Sequence, residues 1–421
     1  GQSPDEASWK RKSASAVRSF DATLESQFVR LSNLSPDSTV YFKVCDDSGC
    51  GDNYLFKTAS SSAADFTFVA GGDSRSNAST RRAGNALVSK VRPLFVMFGG
   101  DLTYGNEAHE VSQWLDDWQS TFSQDTVNGK PYRAIPALVP TVGNHEASDH
   151  TFMCKVFGID ADNNGRCDLD DTYFAFNVGG NQLRVYTLNT EFRSSGYQTQ
   201  WNRQKTWLSN DLSSAGSSAK WRISQYHKPM FPRTSAKDYV NSKMFEWAGD
   251  FYNKKMNLAV ESDSHLVKYS WPVKPASNDM EQVDAGTVFI GEGSWGAPTR
   301  PADRYSPWIA DQSSFAQFKI VQMKGEQMWI RTARFSGSPQ VLSQQARDND
   351  PLALPTGLSL WNANGIGEMY RLAQDGNGRT VVADAATGPE AKFVASCSQL
   401  SCRFDGASST GKGLTYRWDF G

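Results

Sequence analysis

The 421-residue chain has no run of 18 apolar residues, so nothing in it reads as a membrane-spanning helix. It also lacks an excess of either charge. Its 43 Lys and Arg stand against 45 Asp and Glu, a formal net charge of −2 with pI ≈ 6.3, which leaves no electrostatic case for nucleic acid as a partner. No cleavable targeting segment is visible, and Gly1 is expected to open a processed or trimmed chain. Cysteine is scarce, six in all, but falls into three close pairs: Cys45 with Cys50, Cys154 with Cys167, and Cys397 with Cys402. The pairs read as local disulfides made outside the reducing cytosol. The alternatives are free thiols or a zinc site, and spacings of this kind argue against zinc. The expected location is therefore secreted, periplasmic or at the cell surface.

The chain has room for two or three domains and a sizeable core. It is organised around five separated stretches, each carrying residues that bind metals: Gly-Gly-Asp73-Ser-Arg75, Gly-Gly-Asp101-Leu-Thr-Tyr104, Gly143-Asn144-His145-Glu146, Tyr-His227-Lys-Pro and Ser262-Asp263-Ser-His265. Three of them follow runs that read as buried parallel strands, starting at Phe66, Phe95 and Ala137. Open α/β sheets bind ligands beyond the carboxyl ends of their strands, and glycine there lets the backbone turn sharply. Asp73, Asp101, Tyr104, Asn144, His227 and His265 are hard or borderline ligands, enough for two metal ions. Two cations about 3.5–4 Å apart need a shared anion between them, and Asp101 is the expected bridge.

Residues 1–60 alternate as β strands, with a stapled hairpin tip at Cys45-Asp-Asp-Ser-Gly-Cys50. Ser60-Ser-Ser-Ala-Ala64 reads as a linker. From Phe66 the period changes. Thr80 to Val91 predicts a helix leading into the Phe95 strand, a βαβ unit; Glu107 to Phe122 and Gln198 to Leu212 predict two more helices; Phe315 to Met323 and Gln327 to Phe335 predict a hairpin. Gln374-Asp-Gly-Asn-Gly378 reads as a hairpin turn. The expected fold class is α/β with a mixed sheet folded as two sheets, over residues 65–340, followed by a connecting segment at 341–387.

The ordered motifs resemble those of the calcineurin-type metallophosphoesterases, and within them the purple acid phosphatases. The likeness covers roughly residues 20–335. It implies a four-layer α/β sandwich with an N-terminal β-sandwich, for which residues 1–60 resemble the later strands of a fibronectin type III domain. Most of that superfamily opens with Asp-x-His; here Arg75 stands in place of the histidine, and Tyr104 follows Asp101 by three residues, where purple acid phosphatases carry the tyrosinate of a ferric site. The resemblance implies a first metal held by Asp73, Asp101, Tyr104 and His265, and a second by Asp101, Asn144, His227 and the residue two before His265. The family has histidine at that last position and this chain has Asp263, which either coordinates and hardens the site toward Mn²⁺, Mg²⁺ or Fe over Zn²⁺ or marks a weakened second site. The tail at 388–421 resembles the first half of a PKD-type module, a surface module expected to contact polymers or proteins, and the chain is expected to stop inside it.

The implied chemistry is hydrolysis of a small phosphorylated substrate, with a metal-bridged hydroxide attacking phosphorus in line. His145 is the expected proton donor or substrate-binding group. Arg75 would pair with phosphate oxygens or form an ordinary salt bridge, and His150 would either reach the same mouth or lie in a surface loop. The expected function is a phosphomonoesterase. The alternatives are a phosphodiesterase or nucleotide hydrolase on the same core, and a binding or adhesion module that has lost catalysis. A second metal signal is independent of the first. Asp160, Asp162, Asn164, Asp168 and Asp171 stand at positions 1, 3, 5, 9 and 12 of an EF-hand-like loop, with Gly165 at 6 and the Arg166 carbonyl at 7, the spacing that wraps structural Ca²⁺.

Overall fold

The computed structural model describes residues 1–383 and the backbone of the strands Val394–Ser398 and Ser401–Asp405. Two mixed sheets face each other. The first runs Thr380–Val382, Tyr370–Gln374, Gln327–Gly337, Gln317–Lys324, Phe66–Gly71, Phe95–Phe98 and Ala137–Pro140, with Leu358–Leu360 paired to Gln327–Gly337. The second runs Phe174–Val178, Leu183–Thr187, Trp221–Gln225, Leu258–Val260, Val288–Gly291, Val267–Ser270 and Ile309–Ser313.

Near-continuous apolar runs make the central strands, because both of their faces are covered. In Phe66–Gly71, Phe68 and Ala70 enter the core between the sheets, where Met97, Val185, Ile223 and Val288 meet them. Val69 points the other way, toward Leu87 and Val88 of the helix Ala78–Val91. The second sheet alternates likewise: Val185 faces inward, while Tyr186 packs in the outer layer with Trp201 and Leu208 of the helix Gln198–Ser213. Three apolar layers thus separate helix, sheet, sheet and helix. Each fully buried Val, Ile or Phe contributes about 1.5–3 kcal/mol of transfer free energy. The helix Ala78–Val91 begins where the Asn77 side chain accepts from Thr80 N (3.0 Å), and it ends at Arg92 in the left-handed region, directly before Pro93.

Three of the first sheet's strands are parallel neighbours, and so are four of the second's. Their carboxyl ends, at Gly71, Phe98 and Pro140 and at Gln225, Val260 and Gly291, release the loops that carry the motifs.

Two expectations change. In place of a separate N-terminal sandwich, the hairpin Thr39–Asp46 and Gly49–Lys57 pairs in parallel with Lys130–Ala134, completing a four-stranded sheet with Ser123–Val127, while Ala16–Ser19 and Glu25–Phe28 form a two-stranded sheet. The connecting segment is part of the main body, since Leu358–Leu360, Tyr370–Gln374 and Thr380–Val382 extend the first sheet, with a tight turn at Asp375–Arg379 between the last two. Most of the PKD-like stretch lies outside the described residues. Within it the register sets Cys397 opposite Cys402, and the side chains of that pair are also outside the described residues. Cys45–Cys50 and Cys154–Cys167 are disulfides. Among the described residues no helix is long and apolar enough to cross a membrane.

Candidate metal centre

Six of the seven expected ligands meet in the crevice between the sheets. Asp73, Asp101, Asp263 and His265 are all nearly buried and sit at positive φ (60°, 55°, 67° and 57°), a region that costs a non-glycine residue energy and gathers at functional sites. Tight glycine contacts hold two of the carboxylates. Gly293, at φ 83°, lies so close to Asp73 that a Cβ there would fall 1.9 Å from Oδ2, and one on Gly143 would fall 2.4 Å from Asp101 Oδ1.

Hydrogen bonds aim both histidines. His227 Nδ1 bonds the Gly99 carbonyl (2.7 Å) and His265 Nδ1 bonds the Pro298 carbonyl (2.9 Å). A ring N–H committed to a backbone carbonyl leaves Nε2 to act as ligand. His227 Nε2 faces Asp101 Oδ1 at 3.2 Å, Asn144 Oδ1 at 3.3 Å and Asp263 Oδ1 at 3.5 Å, and His265 Nε2 faces Asp73 Oδ1 at 3.2 Å. Ligand atoms of Asp73, Asp101 and His227 lie within 4.8 Å of one another. Asp73 Oδ2 accepts from Asp263 N (2.9 Å), while its Oδ1 is buried with no hydrogen-bond donor. A buried carboxylate oxygen without a donor is costly unless a cation meets it, so the donor set fits a metal ion. Against its burial, the carboxylates of Asp101, Asp263 and Asp73 push His227 up to about 10. The field at this point draws in a cation, proton or metal.

Glu146 organises the floor of the site. Its Oε2 accepts from Asp101 N and Gly143 N (both 2.9 Å), and its Oε1 accepts from Leu102 N (2.8 Å). Burial, and then Asp101, push its carboxyl up to about 7. It ties the second and third motif loops together.

His145 stands at the mouth. Its backbone N–H donates to Asp101 Oδ1 (3.0 Å), its Nε2 lies 3.7 Å from Asp101 Oδ2, and its Nδ1 bonds the Tyr104 carbonyl. Arg75 donates through Nε to Asp101 Oδ2 (3.1 Å) and places Nη2 3.5 Å from His265 Nε2.

Two expected residues are not brought to the ligands. Tyr104 is 62% exposed; its ring lies 5.1 Å from that of His145 and under the Arg75 guanidinium at 5.5 Å. Arg75, in the place where the superfamily has histidine, takes the face of the ring, and the tyrosine turns outward. His150 is neither at the mouth nor on the surface. It is 4% exposed, its ring packs against those of Phe192 (5.2 Å) and Tyr197 (4.5 Å), and Asn189 Nδ2 donates to its Nδ1 (3.0 Å). Burial lowers it to about 4, so it is a neutral core histidine. His109 sits on the surface beside Glu107 (3.3 Å).

The sequence reading missed Lys228 and Lys237. Lys228 Nζ donates to Asn144 Oδ1 (2.6 Å) and Asp263 Oδ1 (2.8 Å), and Lys237 Nζ pairs with Asp263 Oδ2. Burial pushes Asp263 up, but His227, Lys228 and Lys237 outweigh it and hold the carboxylate well below the usual range. The signal was available: an aspartate in a buried position that holds a neutral histidine elsewhere requires a counter-charge.

Facing sheets with carboxylate, amide and imidazole ligands at their carboxyl edges define a metallophosphoesterase-like core. The calcineurin-like phosphoesterase family model matches residues 52–265, and the chain belongs to that family. Two proteins of Mycobacterium tuberculosis of uncharacterised function, MT2654 from strain CDC 1551 and Rv2577 from strain H37Rv, are each 24% identical over 320 residues, covering 64% of this chain. The chain spans 58% of the length of these relatives. In solved structures the fold is similar to purple acid phosphatase PPD1 from yellow lupin (Lupinus luteus) seeds, with TM-score 0.60 at 13% identity over 83% of this chain and 62% of that one. It is also similar to PhoD, with TM-score 0.56 at 12% identity over 87% and 80%.

Proposed function

We propose that the protein is a metal-dependent phosphoester hydrolase acting on small phosphomonoesters outside the reducing cytosol. The observation that carries this reading is the convergence of Asp73, Asp101, Asn144, His227, Asp263 and His265 from separate loops onto one crevice, with their ligand atoms turned toward one another. A metal ion held there supplies a Lewis acid for a phosphoryl oxygen and makes hydroxide accessible near neutral pH. The oxygen-rich donor set favours Mn²⁺, Mg²⁺ or Fe over Zn²⁺.

The chain's own residues do the rest. Arg75 presents a guanidinium beside Asp101, in reach of a phosphoryl oxygen at the mouth. His145, held by its bond to Tyr104, stands at that mouth to protonate the departing alkoxide. The pocket that opens on Asp263 is lined by Arg193, Lys228, Lys237, Lys243 and Arg304 against Asp238 and Asp263. This excess of positive charge suits the dianion of a monoester better than the single charge of a diester. The loop at 303–305 contributes Arg304, and Asp303 anchors it by accepting from Ser235 N and Oγ (both 2.6 Å). The two disulfides favour an oxidising compartment.

Turnover of p-nitrophenyl phosphate, abolished by chelation and restored by Mn²⁺ or Fe, is the expected result. Preference for bis-p-nitrophenyl phosphate would move the reading to a diesterase, and absence of turnover with every metal would leave a binding module.

The acidic loop is proposed as a structural Ca²⁺ site. Ligand oxygens of Asp160, Asp162 and Asp171 lie within 4.8 Å of one another, and Asp160 Oδ1 is buried without a hydrogen-bond donor in a side chain only 10% exposed. Millimolar Ca²⁺ is expected to raise Tm over the same sample in EGTA, by the equivalent of about 2–3 kcal/mol at a hundredfold excess over Kd. An unchanged Tm would remove the site.

A further inference from the structure

We infer that the chain supplies the second cation of its site itself: the ammonium of Lys228, backed by Lys237, takes the place of a second metal ion between Asn144 and Asp263. The inference rests on the metal-dependent reading above and narrows it to a single ion.

The second ion would need lone pairs from Asp101, Asn144, His227 and Asp263. Two of those ligand atoms are already engaged. Asn144 Oδ1 and Asp263 Oδ1, which face His227 Nε2 at 3.3 and 3.5 Å, are the same oxygens that accept from Lys228 Nζ at 2.6 and 2.8 Å. The other oxygen of Asp263 accepts from Lys237, so neither carboxylate oxygen is left without a cation. Lys228 is no loose surface side chain. It is 8% exposed, it follows His227 directly, and its backbone N–H is held by Thr190 Oγ1 (3.1 Å). A metal ion among these atoms would lie a few ångströms from an ammonium in a buried place, where like charges repel strongly.

The charge balance agrees. Asp73, Asp101 and Asp263 bring three negative charges; Arg75 on Asp101 and the two lysines on Asp263 bring three positive ones. One divalent ion then leaves a surplus that a phosphomonoester dianion cancels, whereas two leave twice that surplus. At the first position Arg75 holds one oxygen of Asp101 at 3.1 Å and stands 3.5 Å from His265 Nε2, but the remaining ligand atoms carry no cation. Asp73 Oδ1 has no hydrogen-bond donor, His265 Nε2 faces it at 3.2 Å, and ligand atoms of Asp101 and His227 are within reach. Lys228 would hold a phosphoryl oxygen from the side where relatives of the two-metal type place their second ion, without exchanging with solvent metal.

The test is metal stoichiometry on the full chain. After loading with excess Mn²⁺ and desalting, elemental analysis is expected to give one Mn²⁺ per chain, with the six-line electron paramagnetic resonance signal of an isolated ion. The double variant Lys228→Met/Asp263→His, which removes the ammonium and installs the family's histidine, is expected to take up a second ion and to show the broadened signal of a coupled pair. Lys228→Arg, which keeps the charge, should stay at one, and circular dichroism melts establish that each variant is folded. Two ions in the unaltered chain, or no metal at all, would overturn the inference, as would a folded double variant that still binds one. The functional reading fails separately, if the one-metal protein turns over no phosphoester.

Discussion

Asp101→Asn is expected to lower kcat/KM for a phosphomonoester by at least about 10³-fold, the upper range for loss of one preorganised electrostatic group at a reacting centre. The size of the effect follows from how many groups share this carboxylate. Oδ1 faces His227 Nε2 and accepts from His145 N, while Oδ2 accepts from Arg75 Nε and lies near His145 Nε2. The amide of asparagine has nearly the same shape, but it carries no charge, offers one acceptor oxygen instead of two, and points an NH₂ at either Arg75 or His227. Metal affinity should fall with activity, so the variant's metal content, measured beside kcat and KM, separates loss of the ion from a misplaced substrate. The fold should survive, since Glu146 and not Asp101 carries the three backbone N–H bonds beneath the loop. An Asp101→Asn protein within tenfold of the original rate would mean that the reacting centre lies elsewhere.

The candidate metal ligands were legible because each is a local event: an apolar run, a sharp turn, then an oxygen or nitrogen donor at a strand's carboxyl end. The helix expected from Thr80 to Val91 was equally local, and the structure begins it two residues earlier, at Ala78. What escaped depends on pairs of residues far apart in the chain. Asp263 and its cations are 35 and 26 residues apart. The N-terminal hairpin finds its parallel partner in Lys130–Ala134, beyond the first two strands of the main body, so no reading of residues 1–60 alone shows what completes their sheet. Leu358–Leu360 and Tyr370–Gln374 are short and acquire their place from the long neighbour Gln327–Gly337, and Thr380–Val382 then adds to Tyr370–Gln374. His150 is decided by Phe192 and Tyr197, two aromatic rings over 40 residues on, which turn a loop histidine into a core one. Tyr104 is a subtler case. Its spacing from Asp101 fits the tyrosinate pattern, but spacing does not fix side-chain direction, and the Arg75 guanidinium offers the ring a partner on the outside.

Lys268→Met is expected to cost about 3–5 kcal/mol of stability, the range for removing one partner from a buried ionic group. Lys268 is 1% exposed and its ammonium lies between two carboxylates that are wholly buried, pairing with Glu261 Oε2 and with Glu292 Oε1 at 2.5 Å. Glu261 also accepts from the Tyr226 hydroxyl (2.7 Å) and from Met230 N (2.8 Å), and the Glu292 carbonyl accepts from His265 N (2.7 Å). This cluster therefore pins the His227 loop on one side and the Asp263–His265 loop on the other, which explains why charges are retained in a place where apolar packing would be no less stable. Burial already raises the Glu261 carboxyl, Lys268 opposes that rise and Glu292 adds to it. Without the ammonium the Glu261 carboxyl should move further up. A carboxyl whose folded pKa exceeds its unfolded value binds more protons folded than unfolded, so its contribution is largest in acid and is lost as pH climbs from the unfolded value, about 4.3, through the raised one. The variant should thus be closest to the original protein near pH 4–5 and fall furthest behind it at pH 7–8. Urea unfolding at both ends of that range measures the difference. A deficit that does not change with pH would mean that Glu261 is not the group Lys268 compensates.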